Sequence, residues 1–348
     1  MYSCKRLRFR RHGTGRLVQM KNMILTALVI ACMAVLLCAC GSGNDQQTQD
    51  AGDADRIQIV ATIFPEYDWV RNILGDDPAN AEVTLLLDKG VDLHSFQPTS
   101  EDMMRVSSCD LFIYVGGESD QWVEDALAES VNENIRTVDL MEALGDRAKE
   151  EEVVEGMQEN TGLGAGEEEP ELDEHVWLSL RNASFLCSQI EKEIAQIDPD
   201  NAAVYEANLK AYQKKLDELD QQYAQTVKQA KGRTLVFADR FPFRYLTDDY
   251  GLDYYAAFTG CSAESEASFE TIQFLAKKVD ELKLPCVMTI ENSDQKIAET
   301  VIRTTKTKDQ KILTMNSMQS VTGEDAAGGA SYLGIMADDL TVLSEALQ

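Results

Sequence analysis

Short apolar strands alternating with amphipathic helices predict an α/β protein with mostly parallel sheets. Three observations carry this. The alternation runs from residue 57 to Gly117, it resumes after Gly232, and a long helical stretch separates the two blocks. Roughly 290 residues beyond the leader are enough for two cores, so two lobes are expected.

The elements follow in order. Ile57-Gln58-Ile59-Val60-Ala61-Thr62-Ile63 alternates and then runs apolar, as a buried first strand does. Tyr67 to Leu74 reads as a helix stopped by Gly75, and Glu82 to Leu87 as a second strand. Thr99-Ser100-Glu101-Asp102 carries an N-cap signature and opens a helix with Met103, Met104 and Val106. Asp110 to Val115 is a third strand, ending at Gly116-Gly117. From Asn182 to Ala230 the period becomes helical: Val204, Tyr205, Leu209, Tyr212, Leu216, Leu219 and Tyr223 recur at three- and four-residue steps. Pro199, with Asp198 as cap, opens the second part, and Gly232 ends it. Thr234 to Ala238 is a strand, with a turn at Asp239-Arg240-Phe241-Pro242. Ser268 to Leu282 is a helix, Cys286 to Ile290 and Ile312 to Met315 are strands, and Ser331 to Leu347 closes the chain as a helix. Asp239, Glu291 and Asn316 fall just beyond strand carboxyl ends, where open α/β sheets bind ligands.

Ahead of these elements, residues 1–39 read as a secretory signal. Residues 1–40 hold seven Lys or Arg and no acid, and an apolar run from Met23 to Leu37 follows the basic part. Met20-Lys21 opens a leader of ordinary length, which makes 1–19 a candidate over-extended start. Leu37-Cys38-Ala39-Cys40 resembles the bacterial lipobox, so Cys40 is the expected lipidation site and the chain is expected outside the cytoplasm, anchored to the membrane. Residues 40–55 are small and polar and read as a tether. Beyond Cys40 lie Cys109, Cys187, Cys261 and Cys286, with no C-x-x-C pair and no zinc-finger spacing. They read as isolated buried thiols or as a disulfide whose pairing the spacing does not reveal.

The chain has 32 Lys or Arg and 60 Asp or Glu. Without the seven basic residues of the leader, 25 face 60, a formal charge of −35. Such a surface repels nucleic acid and anionic substrates and favours cations. Part of the charge lies in a loop from Lys149 to Glu171, with four glycines and no histidine, which is expected to be mobile.

Histidine use is the sharpest signal. Of three histidines, His12 lies in the leader; the other two share one context, Asp92-Leu93-His94-Ser95-Phe96 and Asp173-Glu174-His175-Val176-Trp177. Imidazole is the commonest protein ligand for zinc and its neighbours, so His94 and His175 are candidate metal ligands.

With these motifs the chain resembles the metal-binding solute receptors of bacterial ABC importers, the lipoproteins that capture zinc or manganese outside the membrane. Asp92-Leu93-His94-Ser95-Phe96-Gln97-Pro98-Thr99 is similar to the family's D-P-H-S-[YF]-x-P-[ST], with Leu93 in place of Pro. Asp173-Glu174-His175-Val176-Trp177-Leu178 is similar to D-P-H-[VI]-W-L, with Glu174 in the Pro position. The likeness covers residues 56–348. It implies an N-terminal lobe over 56–181, a helical segment over 182–231 that includes one linking helix, and a C-terminal lobe over 232–348, with metal in the cleft. It also implies His94 and His175 as ligands, Asp239 as the third and Asn316 as the fourth, with Glu264, Glu266 and Glu291 as substitutes. Zn²⁺ is the expected ion, with Mn²⁺ or Fe²⁺ favoured as oxygen content rises. The partners implied are a permease and its ATPase, with the receptor itself a monomer. An adhesin role is compatible with the same pattern. A metallohydrolase is disfavoured, since no H-E-x-x-H or H-x-H occurs. Gly162-Leu163-Gly164-Ala165-Gly166 follows an acidic stretch rather than a strand and reads as loop, not as a nucleotide site.

Overall fold

Two four-stranded sheets of the same strand order organise the chain. In the first, β1 (Ile57–Ala61), β2 (Ala81–Leu85), β3 (Leu111–Tyr114) and β4 (Arg136–Asp139) run in the order β2-β1-β3-β4, all parallel. In the second, β5 (Thr234–Phe241), β6 (Asp253–Thr259), β7 (Cys286–Ile290) and β8 (Lys311–Met315) repeat the pattern as β6-β5-β7-β8. The structure is a computed structural model and describes residues 56–75, 80–158, 171–262 and 266–348. The leader, Cys40, the tether and Glu264 lie outside the described residues.

Each sheet reverses its winding between its first and third strands, so each lobe has a switch point at the carboxyl ends of its strands. The β1–β3 pair and the β5–β7 pair mark these two edges. His94 follows β2, and Arg240, Cys261 and Glu291 lie at or beyond the ends of β5, β6 and β7.

The 28-residue helix Ala202–Gln229 links the lobes. It buries Tyr205, Leu209, Tyr212, Leu216, Leu219, Tyr223 and Val227, the stripe its spacing predicts. Near its start, Tyr205 Oη accepts a hydrogen bond from Asn80 Nδ2 of the first lobe (2.8 Å). Near its end, Tyr223 Oη donates to the carbonyl of Met336 in the last helix, Tyr332–Ala346 (2.6 Å). One apolar core runs through both lobes, from Ile59, Phe64 and Trp69 to Phe237, Met288, Met315 and Met336. A second cluster, with Val236, Leu275, Val279, Val287 and Val301, fills the other face of the second sheet.

Several expectations need correction. The helical stretch is two helices, Leu180–Ile197 and Ala202–Gln229, and the second opens at Ala202 rather than at Pro199. Asp198 is the C-cap of the first and Asn201 the N-cap of the second, although the Asp198 carboxylate also accepts from Tyr205 Oη (2.6 Å) and Asn201 Nδ2 (2.8 Å). Strand β5 continues through Asp239 and Arg240, with its register against β6 shifting between Phe237 and Arg240. Strands β4 and β6 and the helices Trp122–Ala128, Arg244–Tyr250 and Lys296–Thr304 were not anticipated. Only Val138 is buried along β4, so no apolar run marks that strand.

The acidic loop also differs in its described part, Lys149 to Gln158. Lys149 N donates to Tyr245 Oη (3.0 Å), Asp173 N to the Lys149 carbonyl (2.8 Å), and Gln158 N to the Ala257 carbonyl (3.0 Å). Met157 is buried. Through Tyr245 and Ala257, Lys149 and Gln158 bond to the second lobe by backbone N–H groups, contacts that composition does not reveal. Cys109, Cys187 and Cys286 are buried in the main core, and all four described cysteines are free thiols.

Candidate metal centre

The repeated Asp-X-His motif makes the same local turn twice. Asp92 Oδ1 accepts from His94 N (3.0 Å), and Asp173 Oδ1 accepts from His175 N (2.9 Å). An Asp two residues before a histidine satisfies that backbone N–H and fixes the direction in which the ring leaves the chain. A short 3₁₀ turn follows each time, Leu93–Ser95 and Val176–Leu178.

The two rings meet edge to edge. His94 Nε2 and His175 Nε2 are 3.2 Å apart. Their other nitrogens are held from behind: His94 Nδ1 lies 2.8 Å from Ser119 Oγ and 3.5 Å from Glu174 Oε2, and His175 Nδ1 lies 2.9 Å from Asp173 Oδ1. A carboxylate on Nδ1 keeps the proton there and leaves the Nε2 lone pair pointing inward. With zinc–nitrogen bonds of about 2.0–2.1 Å, the edge of a tetrahedral site is about 3.3–3.4 Å. The observed separation is close to that edge.

The electrostatics follow from burial. Burial, and then the neighbouring His175, lower the pKa of His94 to about 3, so its imidazole is neutral. Burial also opposes a charge on His175, but Asp173, then Glu174 and Asp92, outweigh it and raise its pKa. One proton at most resides between the two Nε2 atoms, a consequence of two cations being incompatible at that distance. Glu174 has its own pKa raised by burial. Its Oε1 accepts from Ser119 N (3.0 Å), and the turn at Gly117 makes room for it. A Cβ on Gly117, whose φ is +81°, would lie 2.5 Å from Glu174 Oε1.

Cys261 lies beside the two histidines. Its Sγ and one ring nitrogen from each of His94 and His175 all lie within 4.8 Å of one another. Among the described residues this is the group of three or more that could hold a metal ion. Burial, and then the charges of Glu151, Asp173 and Glu174, push its thiol pKa up. The spacing of the cysteines does not single this residue out; its position just beyond the carboxyl end of β6 does.

The structure does not bring Asp239 into this group. Asn316 Oδ1 accepts from Met318 N (2.8 Å), a turn that follows β8. Asp239 Oδ1 accepts from Arg240 N (2.9 Å), inside the irregular part of β5, and the side chain lines a cleft of about 520 Å³. Glu291 is engaged elsewhere: its two oxygens accept from Ser317 N and Ser317 Oγ, both at 2.7 Å. Glu266 is exposed. Gln319, which no spacing singled out, is buried on that cleft with its Oε1 unpartnered.

His175 is locked to the second lobe. Trp177 Nε1 donates to the Ser317 carbonyl (2.8 Å), Tyr332 Oη to the Trp177 carbonyl (2.6 Å) and Tyr245 Oη to the Asp173 carbonyl (2.8 Å). The site thus lies at the seam of the lobes, with His175 fully buried.

The family described as "Zinc-uptake complex component A periplasmic" (ZnuA) matches residues 59–346. The chain belongs to that family. Among its relatives, the high-affinity zinc uptake system protein ZnuA of Bacillus subtilis is 29% identical over 326 residues, covering 92% of this chain and 96% of that protein. The zinc-binding lipoprotein AdcA of Streptococcus pneumoniae is also 29% identical, over 324 residues and 92% of this chain, but this chain spans only 60% of its length. The Zn(II)-bound ZnuA-like domain of the same AdcA has the same fold. It is 27% identical with a TM-score of 0.65, covering 84% of this chain and 99% of that domain. ZnuA-family architecture thus accounts for the two α/β lobes.

Proposed function

We propose that this protein is an extracytoplasmic zinc receptor that captures Zn²⁺ and delivers it to the permease of an ABC importer, whose ATPase partner supplies the energy. The observation that carries the reading is the pair of buried imidazoles with Nε2 atoms 3.2 Å apart, each oriented through Nδ1. Two preset nitrogen donors at a tetrahedral edge suit zinc better than manganese, which prefers oxygen. The zinc named in the relatives' descriptions points the same way.

In this reading zinc is cargo. It displaces whatever proton lies between the two Nε2 atoms, while Asp173 and Glu174 balance its charge. Binding draws together residues of both lobes, so it favours the closed form by its differential affinity for that form. The acidic surface raises the local cation concentration. Cys40 carries the lipid that keeps the receptor near the permease, and the receptor works as a monomer.

The test is metal analysis of protein purified without chelator, followed by competition titration of zinc against manganese. One zinc per chain, held in preference to manganese and lost in His94→Ala and His175→Ala, is the expected result. Wild-type affinity in both variants, or no stoichiometric zinc, overturns the reading. Mass spectrometry of the native N-terminus tests the anchor: a diacylated Cys40 is expected, and an intact leader overturns that part.

A further inference from the structure

We propose that Cys261 binds the metal as a thiolate, so that this receptor presents a His₂Cys donor set selective for borderline and soft cations. The proposal rests on the zinc-receptor reading above and specifies the chemistry of the same site.

Four observations converge on this residue. Its Sγ lies within 4.8 Å of a ring nitrogen of His94 and of one of His175. Cys109, Cys187 and Cys286 are members of the apolar core, whereas Cys261 is half-buried among polar groups. Its backbone is brought there by Gly260: a Cβ at that position would lie 2.9 Å from His175 Cε1, 3.0 Å from His175 Nδ1 and 3.0 Å from the Phe241 carbonyl oxygen. The end of β6 therefore packs directly on the histidine ring, and a residue with a side chain at 260 would hold Cys261 away. Finally, Cys261 N donates to Glu151 Oε1 (2.9 Å), which ties the turn to the docked part of the acidic loop.

The chemistry follows from the donor types. When Zn²⁺ binds, the S–H bond breaks, its proton leaves to solvent, and the sulfur pair forms the Zn–S bond, at about 2.3 Å. No oxidation state changes. Two neutral imidazoles and one thiolate leave a fourth position open, as in zinc sites that must exchange a ligand. Thiolate favours zinc and cadmium over manganese and magnesium, so selectivity resides in one sulfur atom rather than in the shape of the cleft.

Cobalt(II) substitution under reducing conditions tests this on the intact protein and on Cys261→Ser and Cys261→Ala. Wild-type protein should show an intense near-ultraviolet thiolate-to-cobalt absorption that is absent in both variants. Zinc affinity should fall by about 100-fold or more in the variants while the weaker manganese affinity changes by less than about threefold. Near-ultraviolet circular dichroism of the serine variant checks that the fold is kept, and wild-type cobalt absorption alone decides the matter if it is not. One zinc per wild-type chain without the thiolate absorption overturns the cysteine assignment and leaves the receptor reading standing. No zinc bound by the wild type overturns both.

Discussion

Arg240 Nη2 lies 2.6 Å from Asp92 Oδ2, so an ion pair from the second sheet grips the turn that carries His94. Asp92 thus serves two partners, His94 N through Oδ1 and Arg240 through Oδ2. Burial works against the Asp92 carboxylate, but Arg240, and then His94, hold its pKa below the usual value. The pair has a structural and an electrostatic effect, and they oppose each other. It holds the lobes together, a contribution of about 1 kcal/mol or less for a partly exposed pair. It also places a positive charge beside a cation site.

Arg240→Gln should therefore tighten zinc binding, by about three- to tenfold, since a cation is removed and a carboxylate is freed close to the metal. Calorimetric competition titration reads this directly. Weaker binding in the variant would show that the hold on the closed cleft outweighs the repulsion.

Zinc affinity should fall with falling pH. His94 is neutral down to about pH 3, so it presents no proton to displace. His175 has a raised pKa, so its proton competes with zinc from above 6.5 downwards. If the Cys261 thiol also loses its proton, affinity changes about tenfold per pH unit above the His175 pKa and about a hundredfold per unit below it. The metal-free protein behaves differently. His175 contributes stability that is present below 6.5 and lost as pH rises through its raised pKa, whereas His94 withdraws stability as pH falls from 6.5 towards 3. Melting curves with and without zinc, taken at several pH values, should show a zinc-induced rise in Tm that grows with pH; a constant rise would exclude competition by these protons.

Gly260→Ala should damage both stability and metal binding. The added methyl meets the His175 ring and the Phe241 carbonyl at about the 3.0 Å separations found for the built Cβ, and a backbone oxygen cannot swing aside. A cost of about 1–3 kcal/mol is expected for such overpacking. Denaturant titration measures that cost, and zinc titration should show weaker binding through displacement of His175. Wild-type values in both would mean that the turn relaxes freely.

Asn316→Asp should leave zinc affinity within about threefold of wild type, roughly 0.7 kcal/mol. The Asn316 side chain is already engaged, its Oδ1 accepting from Met318 N (2.8 Å), and a carboxylate there keeps that bond. Marked tightening for both zinc and manganese would restore position 316 to the metal shell.

The sequence made the histidines legible because the chain uses so few and repeats their context. The Asp before each one was legible as pattern but not as mechanism, since its role depends on a turn geometry that spacing alone does not give. Parallel strands with buried side chains, such as Ile59-Val60-Ala61 and Cys286 to Ile290, were recognisable as apolar runs. Strand β4 was not, because Arg136 and Thr137 reach outward and only Val138 is buried. Losing β6 had a larger consequence. It hid Cys261, which lies just beyond that strand's carboxyl end, and left Asp239 as the residue that the resemblance implied for the third ligand. That residue looks terminal in the sequence but lies within β5, whose irregular register no composition signal announces.

The bonds from Trp177, Tyr245 and Tyr332 fasten the His175 segment across the seam, and one apolar core continues beneath it. A wide hinge would have to tear that core. In the zinc-receptor reading proposed above, release therefore works through the short turn bearing His94 and the strand-end turn bearing Cys261, and His175 stays behind as a fixed anvil to which the next ion is delivered.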